Sequence, residues 1–292
     1  MNFRILTAAL LMGFVSAYSQ ETYSTWAHYK EVTVNTTSAG ANVAGGVGKF
    51  PLLVRLTSAN ADVFTQAAAN GADIRFTKAD GVTRLPHQRE RWDAANQVAE
   101  FWVLADTVMG NASNTVRMYW GKGAAADSSN GGQVFTAANG FVSVWHMGDS
   151  SGVNPRPNAV SGGPSATPTN FPGGYGPKAG VIGLADSLRG GWYTTKDYLV
   201  VGSPTTGFSD FTVSGITFSV WVYSTSNLKD VPYFSAGNGT SNVIIIGQSG
   251  TGTGEKFRFN SGTAGNVGIN GGANKIANES TKKTCYKIAN EG

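Results

Sequence analysis

Val98-Ala-Glu-Phe-Trp-Val-Leu104 and, eleven residues on, Thr115-Val-Arg-Met-Tyr-Trp120 decide how this chain is read. Both runs are short, free of Pro and Gly, and rich in β-branched and aromatic residues, the composition of a strand on a pleated, half-buried surface. Working outward, Tyr29-Lys-Glu-Val-Thr-Val34 alternates apolar and polar residues and predicts a half-buried strand. Phe50-Pro-Leu-Leu-Val-Arg-Leu56 predicts another, with its Pro near the start, where a ladder tolerates a missing N–H. Ile74-Arg-Phe-Thr77 predicts a third, followed by the turn signal Asp80-Gly81. The one helix-like piece is short, near residues 63–70. Strands at this spacing predict an antiparallel sandwich.

The composition agrees. Of 292 residues, 39 are Gly and only 14% are charged, which suits short strands joined by many turns. A hydrophobic content of 41% is enough to bury a core, so wholesale disorder is excluded. A single Cys excludes a disulfide framework and a multi-cysteine zinc site. Three His leave little room for metal or acid–base chemistry. The net charge is +4, and the basic residues are scattered, which argues against a nucleic-acid footprint.

The ends read differently from the middle. Arg4, then the apolar run Ile5 to Ala17, then small residues at Ala17 and Ser19, predict a signal peptide over 1–20 and an exported mature chain. The apolar run is shorter than the ~20 residues a membrane span needs. Residues 121–139 are small and polar and read as a linker or long surface connection. Phe141-Val-Ser-Val-Trp145 is expected to open a second unit, with further strands at Asp197–Val201, Ile216–Tyr223, Val243–Ile246 and Lys256–Phe259. From about residue 260 apolar residues thin out, and Lys275-Ile-Ala-Asn-Glu279 recurs as Lys287-Ile-Ala-Asn-Glu291. This stretch, 261–292, is expected to be a polar, disordered tail.

Several stretches of the first unit carry a resemblance. They are Thr36-Thr-Ser-Ala-Gly-Ala-Asn42, Phe50–Leu56, Gly71-Ala-Asp-Ile-Arg-Phe76, Asp80-Gly81, Leu85-Pro86, Glu90-Arg-Trp-Asp93 and Met118-Tyr-Trp-Gly121. In this order, over residues 26–140, they resemble a bacterial exported family of unknown function, DUF 2341. The second unit is similar to the start of a concanavalin A-like, laminin-G-type sandwich. Phe141-Val-Ser-Val-Trp-His-Met-Gly148, Gly180-Val-Ile-Gly183, Asp197–Val201 and Phe218-Ser-Val-Trp-Val-Tyr223 carry that likeness. The resemblance implies an envelope or adhesion setting. In some relatives an ExbB/TolQ-type proton channel follows, but no channel segment is found here. The later strands of such a sandwich are missing after Phe259, so the second unit reads as incomplete, with an uncovered edge for a protein partner.

The chemical motifs are weak. Gly148-Asp-Ser-Ser-Gly152 has the spacing of a nucleophile elbow, but Pro155 and Pro157 forbid the helix that must follow, and no His lies beyond His146. Gly250-Thr-Gly-Thr-Gly-Glu-Lys256 lacks the Gly-Lys-Ser/Thr of a phosphate loop. Glycoside hydrolysis needs two carboxylates across the scissile bond. The chain has seven Glu, none near another in sequence, and the acidic pair Glu90 and Asp93 reads as a solvated face. Calcium is the cofactor that loop oxygens suit, with Asp149, Asp186 and Asp197 as candidate ligands. Trp102, Trp120, Trp145 and Trp221 read as core. Trp192 and Tyr193, after Gly190-Gly191, and Tyr175, between Pro172 and Pro177, lie in loops and are the candidate ligand-stacking residues.

The sequence therefore predicts an all-β chain of two antiparallel β-sandwich, jelly-roll-like domains, over 21–140 and 141–260, the second incomplete. The expected function is an exported, non-catalytic protein that contacts carbohydrate or another surface component, with no nucleic-acid partner. Two alternatives stand: a structural, protein-binding portion of an ExbB/TolQ-type assembly, and a glycan-active hydrolase.

Overall fold

A computed structural model describes residues 21–148, 153–170, 177–188, 197–201, 219–222, 231–236, 244–249, 256–257 and 284–285. The expected signal peptide, the elbow-like Ser150, and the candidate residues Asp149, Tyr175, Trp192 and Tyr193 lie outside these residues.

The first part of the chain is built from seven strands: β1 (His28–Asn35), β2 (Val47–Leu56), β3 (Arg75–Lys78), β4 (Arg84–Leu85), β5 (His87–Asp93), β6 (Val98–Val108) and β7 (Ser113–Trp120). They form two antiparallel sheets, ordered β1-β7-β3-β4 and β2-β6-β5. A short helix, α1 (Ala61–Gln66), overlaps the expected helical piece and starts two residues before it. The Asp80-Gly81 turn joins β3 to β4: Asp80 accepts from the backbone N–H groups of Val82 and Thr83, and Gly81 takes φ +73°.

Alternation puts one face of each sheet into a common core. Phe76, Leu85, Val116, Met118 and Trp120 come from one sheet; Val54, Leu56, Ala99, Phe101 and Val103 come from the other. Val63 and Phe64 of α1 fill the gap between them. Each fully buried side chain of this kind contributes roughly 1.5–3 kcal/mol. The two sheets facing one core make a β-sandwich.

The remaining described strands are β8 (Ala166–Thr169), β9 (Lys178–Ala179), β10 (Leu184–Ala185), β11 (Tyr198–Val201), β12 (Trp221–Val222), β13 (Val231–Ala236), β14 (Ile244–Ser249), β15 (Lys256–Phe257) and β16 (Thr284–Cys285). All pair antiparallel. Thr284–Cys285, inside the stretch read as a tail, pairs with Trp221–Val222.

Three readings change. Phe141–Trp145 forms no strand; Trp145 makes only an isolated bridge to Asn158. Its apolar side chains are used instead to cover the outer face of β6: Phe141 and Val144 join Val134, Phe135 and Val160 against Trp102 and Leu104. Residues 121–139 are pinned rather than loose. Ala126 accepts from Arg75, Asp127 pairs with Arg89, and α2 (Gly131–Val134) packs under β5 and β6. Trp221, expected in the core, is 45% exposed.

Candidate functional site

The outer face of β2-β6-β5 holds the densest group of charged side chains. Along β6, Phe101 and Val103 face the core, so Glu100, Trp102 and Leu104 face outward. Glu100 is fully buried there. Its carboxylate accepts from Arg55 Nε (3.1 Å), Arg91 Nη2 (2.8 Å) and the backbone N–H of Gly183 (2.7 Å). Next to it, β5 carries a bulge: Arg89 pairs with Phe101 and Arg91 with Glu100, leaving Glu90 as the extra residue. Glu90 accepts from Trp102 Nε1 at 2.9 Å and pairs with His146 Nδ1. Glu90 therefore is not on a solvated face, as the Glu90 and Asp93 spacing suggests. The bulge turns it under residues 141–148, while Asp93 caps the exposed turn at Asn96.

The lid over this pair is a hairpin, β9–β10. Its tip residue Gly183 has φ +60°, and a Cβ there would stand 2.4 Å from Glu90 Oε1. Only glycine lets the backbone approach both carboxylates. Val181 at the same tip accepts from Arg55 Nη2. Behind the hairpin, Arg156 is fully buried and forks onto Asp186, at 2.9 Å from Nε and 2.6 Å from Nη2. A bidentate pair of this kind uses both carboxylate oxygens. Asp186, a candidate calcium ligand, is thus a structural partner of Arg156. Asp197 is buried just ahead of β11. Among the described residues no group of three or more His, Cys, Asp or Glu converges as a cation site.

The outer face of the other sheet is different. Tyr29, Glu31 and Thr33 of β1 lie opposite Tyr119, Arg117 and Thr115 of β7. Tyr29 is 59% exposed. Its ring lies 5.8 Å from that of Tyr119, which in turn meets Tyr23 at 5.0 Å and accepts company from Trp26 through Tyr23 at 5.3 Å. The Arg117 guanidinium sits 5.5 Å over Tyr29 and donates to Glu31 at 3.2 Å. Burial and the neighbouring Glu21 push the Tyr23 hydroxyl up to about 12, so it stays protonated.

One more buried group matters. His87 opens β5 facing the core, between Phe76 at 5.4 Å and Phe101 at 6.1 Å. Burial first, then the charges of Arg75 and Arg84, lower its pKa to about 3, so its imidazole is neutral.

A cleft of about 240 Å³ opens between the sheets where β6 ends and β7 begins. Asp106 stands at it, bonded by Lys49 at 2.8 Å and Lys78 at 2.7 Å.

The sequence placed its ligand candidates in loops after residue 148. Of these the structure describes only Asp186, paired with Arg156, and Asp197, buried ahead of β11. It finds instead Glu90, Glu100 and His146 around Gly183, and Tyr29 beside Arg117. The missed signal was Glu100 itself, a lone charge in the apolar run 98–104, which must find partners if the strand is buried.

A family described as Domain of unknown function (DUF2341) matches residues 70–148, a segment that contains Glu90, Glu100 and His146. No curated protein and no solved structure matches the chain.

Proposed function

We propose that this chain is an exported, non-catalytic binding protein whose ligand is a carbohydrate or another component of a cell surface. The observation that carries the reading is the outer face of β1-β7-β3-β4: an exposed Tyr29 ring, backed by Tyr119 and flanked by the Arg117–Glu31 pair. A flat aromatic face suits the apolar face of a pyranose, and adjacent charged donors and acceptors suit its hydroxyls. The carboxylates of Glu90 and Glu100 support the non-catalytic part, since both are bonded and covered by Gly183. Acid–base work needs groups within reach of a substrate.

The likeness to a concanavalin A-like unit in the second half belongs to this proposal, as does export by residues 1–20. The test is a glycan array on the mature chain, repeated with Tyr29→Ala. Binding to a glycan that Tyr29→Ala abolishes, in a protein still folded by circular dichroism, is the expected result. A folded chain that binds no glycan overturns the carbohydrate reading.

A further inference from the structure

The cleft between the sheets is walled by aliphatic side chains: Val34, Leu52, Leu85, Val108 and Val116. At about 240 Å³ it has room for roughly eight waters. Those walls come from β1, β2, β4, β6 and β7, strands of both sheets, so the space is a gap between the sheets that opens to solvent at its polar side. Its polar side is built from Lys78, Asp106, Thr107 and Thr115. Asp106 ties the two sheets together, bonded to Lys49 of β2 through Oδ1 and to Lys78 of β3 through Oδ2. Lys49 lies opposite Asp106 in the β2–β6 register, between the pairs Gly48–Thr107 and Phe50–Ala105, and itself has φ +51°.

The charges do not balance. Two ammonium groups share one carboxylate, Lys78 in the lining of the gap and Lys49, 58% exposed, outside it, which leaves one positive charge and spare N–H donors at the mouth of an aliphatic gap. Hydrogen bonds from the two lysines hold the Asp106 pKa at about 2, so the carboxylate stays ionised through the physiological range. A neutral apolar guest would leave those donors to water, and a cation would face two like charges. A guest with one carboxylate and a short aliphatic body satisfies both sides: its oxygens take the free donors of Lys49 and Lys78, and its chain fills the gap.

We infer that the inter-sheet cleft beside Asp106 is a binding site for a small aliphatic monocarboxylate, held by Lys49 and Lys78. The site is separate from the Tyr29 face and does not depend on the carbohydrate reading.

The probe is hexanoate, titrated into the full mature chain and followed by amide chemical shifts in NMR. Hexanol and hexylamine serve as isosteric controls. Hexanoate should saturate at a Kd on the order of 1 mM, moving amides of residues 105–108 and 114–116. Hexanol and hexylamine should bind at least tenfold more weakly. Asp106→Asn removes the competing carboxylate from an exposed position and should tighten hexanoate severalfold. Lys78→Gln should weaken it tenfold or more, and Tyr29→Ala should leave it unchanged. Equal binding of all three probes, shifts confined to other residues, or weaker binding by Asp106→Asn would each overturn the proposal. So would the absence of any saturating shift in a folded protein.

Discussion

The two sheets of the sandwich share one core but have opposite outer faces. The outer face of β2-β6-β5 is covered by residues 131–148, 159–160 and 180–186, and its carboxylates Glu90 and Glu100 are buried and bonded. The outer face of β1-β7-β3-β4 keeps an exposed Tyr29 and a half-exposed ion pair. A covered face must satisfy every polar group it carries, so its residues are coupled and intolerant. A bare face needs only solubility, so its residues are free to serve a ligand. The contrast teaches where to look for structure and where to look for binding.

The largest effect separating the two sheets is acid sensitivity. His87 lies on the covered sheet, with its pKa lowered to about 3 by burial. In the unfolded chain an imidazole titrates at about 6.5. Below that value the unfolded chain takes up a proton that the folded one refuses until about pH 3. Stability is therefore lost as the pH falls between 6.5 and 3, by roughly 4 to 5 kcal/mol in all. His87→Phe should flatten that slope in urea titrations run from pH 7 to pH 4. An unchanged slope would show that other groups carry the acid sensitivity. The bare sheet adds little: Asp80 is also held at about 2 by Thr83 and local N–H groups, but it lies in water.

Next in size is Glu100→Ala. It removes the acceptor shared by Arg55, Arg91 and Gly183 N–H and leaves these donors over a covered sheet. The expected loss is about 3 kcal/mol, read by chemical denaturation. Glu100→Gln should recover only part of it, since an amide keeps one acceptor oxygen. A loss under 0.5 kcal/mol would mean the face is not sealed in solution.

Gly183→Ala follows. The new Cβ would meet Glu90 Oε1 at 2.4 Å, at a position with φ +60°. Residues other than Gly resist that backbone, and the hairpin tip must lift. The expected cost is about 2 kcal/mol. Hydrogen exchange should locate it, with faster exchange in residues 178–185 and unchanged exchange in β7. Uniform acceleration through both sheets would make the hairpin part of the global core instead.

These contrasts also explain what the sequence could and could not disclose. β1, β2, β6 and β7 were legible because their alternation or apolar run has one cause, the shared core. The Asp80-Gly81 turn was legible because its chemistry is local. The covered face was not. Glu90 is placed by a bulge, which breaks the alternation on which strand reading depends. Its partner Gly183 arrives from a hairpin far along the chain, and such contacts leave no local period. Phe141–Trp145 misled for a related reason: its residues have strand composition but bury themselves singly against Trp102, Leu104 and Phe135. The Tyr29 face was half legible. Tyr29 alternates outward as its strand predicts, but nothing local says that Arg117 lies opposite Glu31, which only the β1–β7 register provides.

The smallest expected effect on stability is Tyr29→Ala, and that smallness is what sharpens the comparison. The ring is exposed, with Tyr119 on one side and Arg117 above it, so its removal gives up part of one aromatic contact and one cation–π contact. Exposed contacts of this kind contribute on the order of 0.5 kcal/mol. The melting temperature should shift by no more than about 2 °C. Tyr119→Ala, one layer deeper, is the control: Tyr119 is buried beside Tyr23 and Trp26 and should cost about 3 kcal/mol. If Tyr29→Ala destabilised the protein as much as Tyr119→Ala, the bare face would be a structural surface like the covered one. If it left stability intact while glycan binding vanished, the residue's role would lie in recognition rather than in holding the sheet.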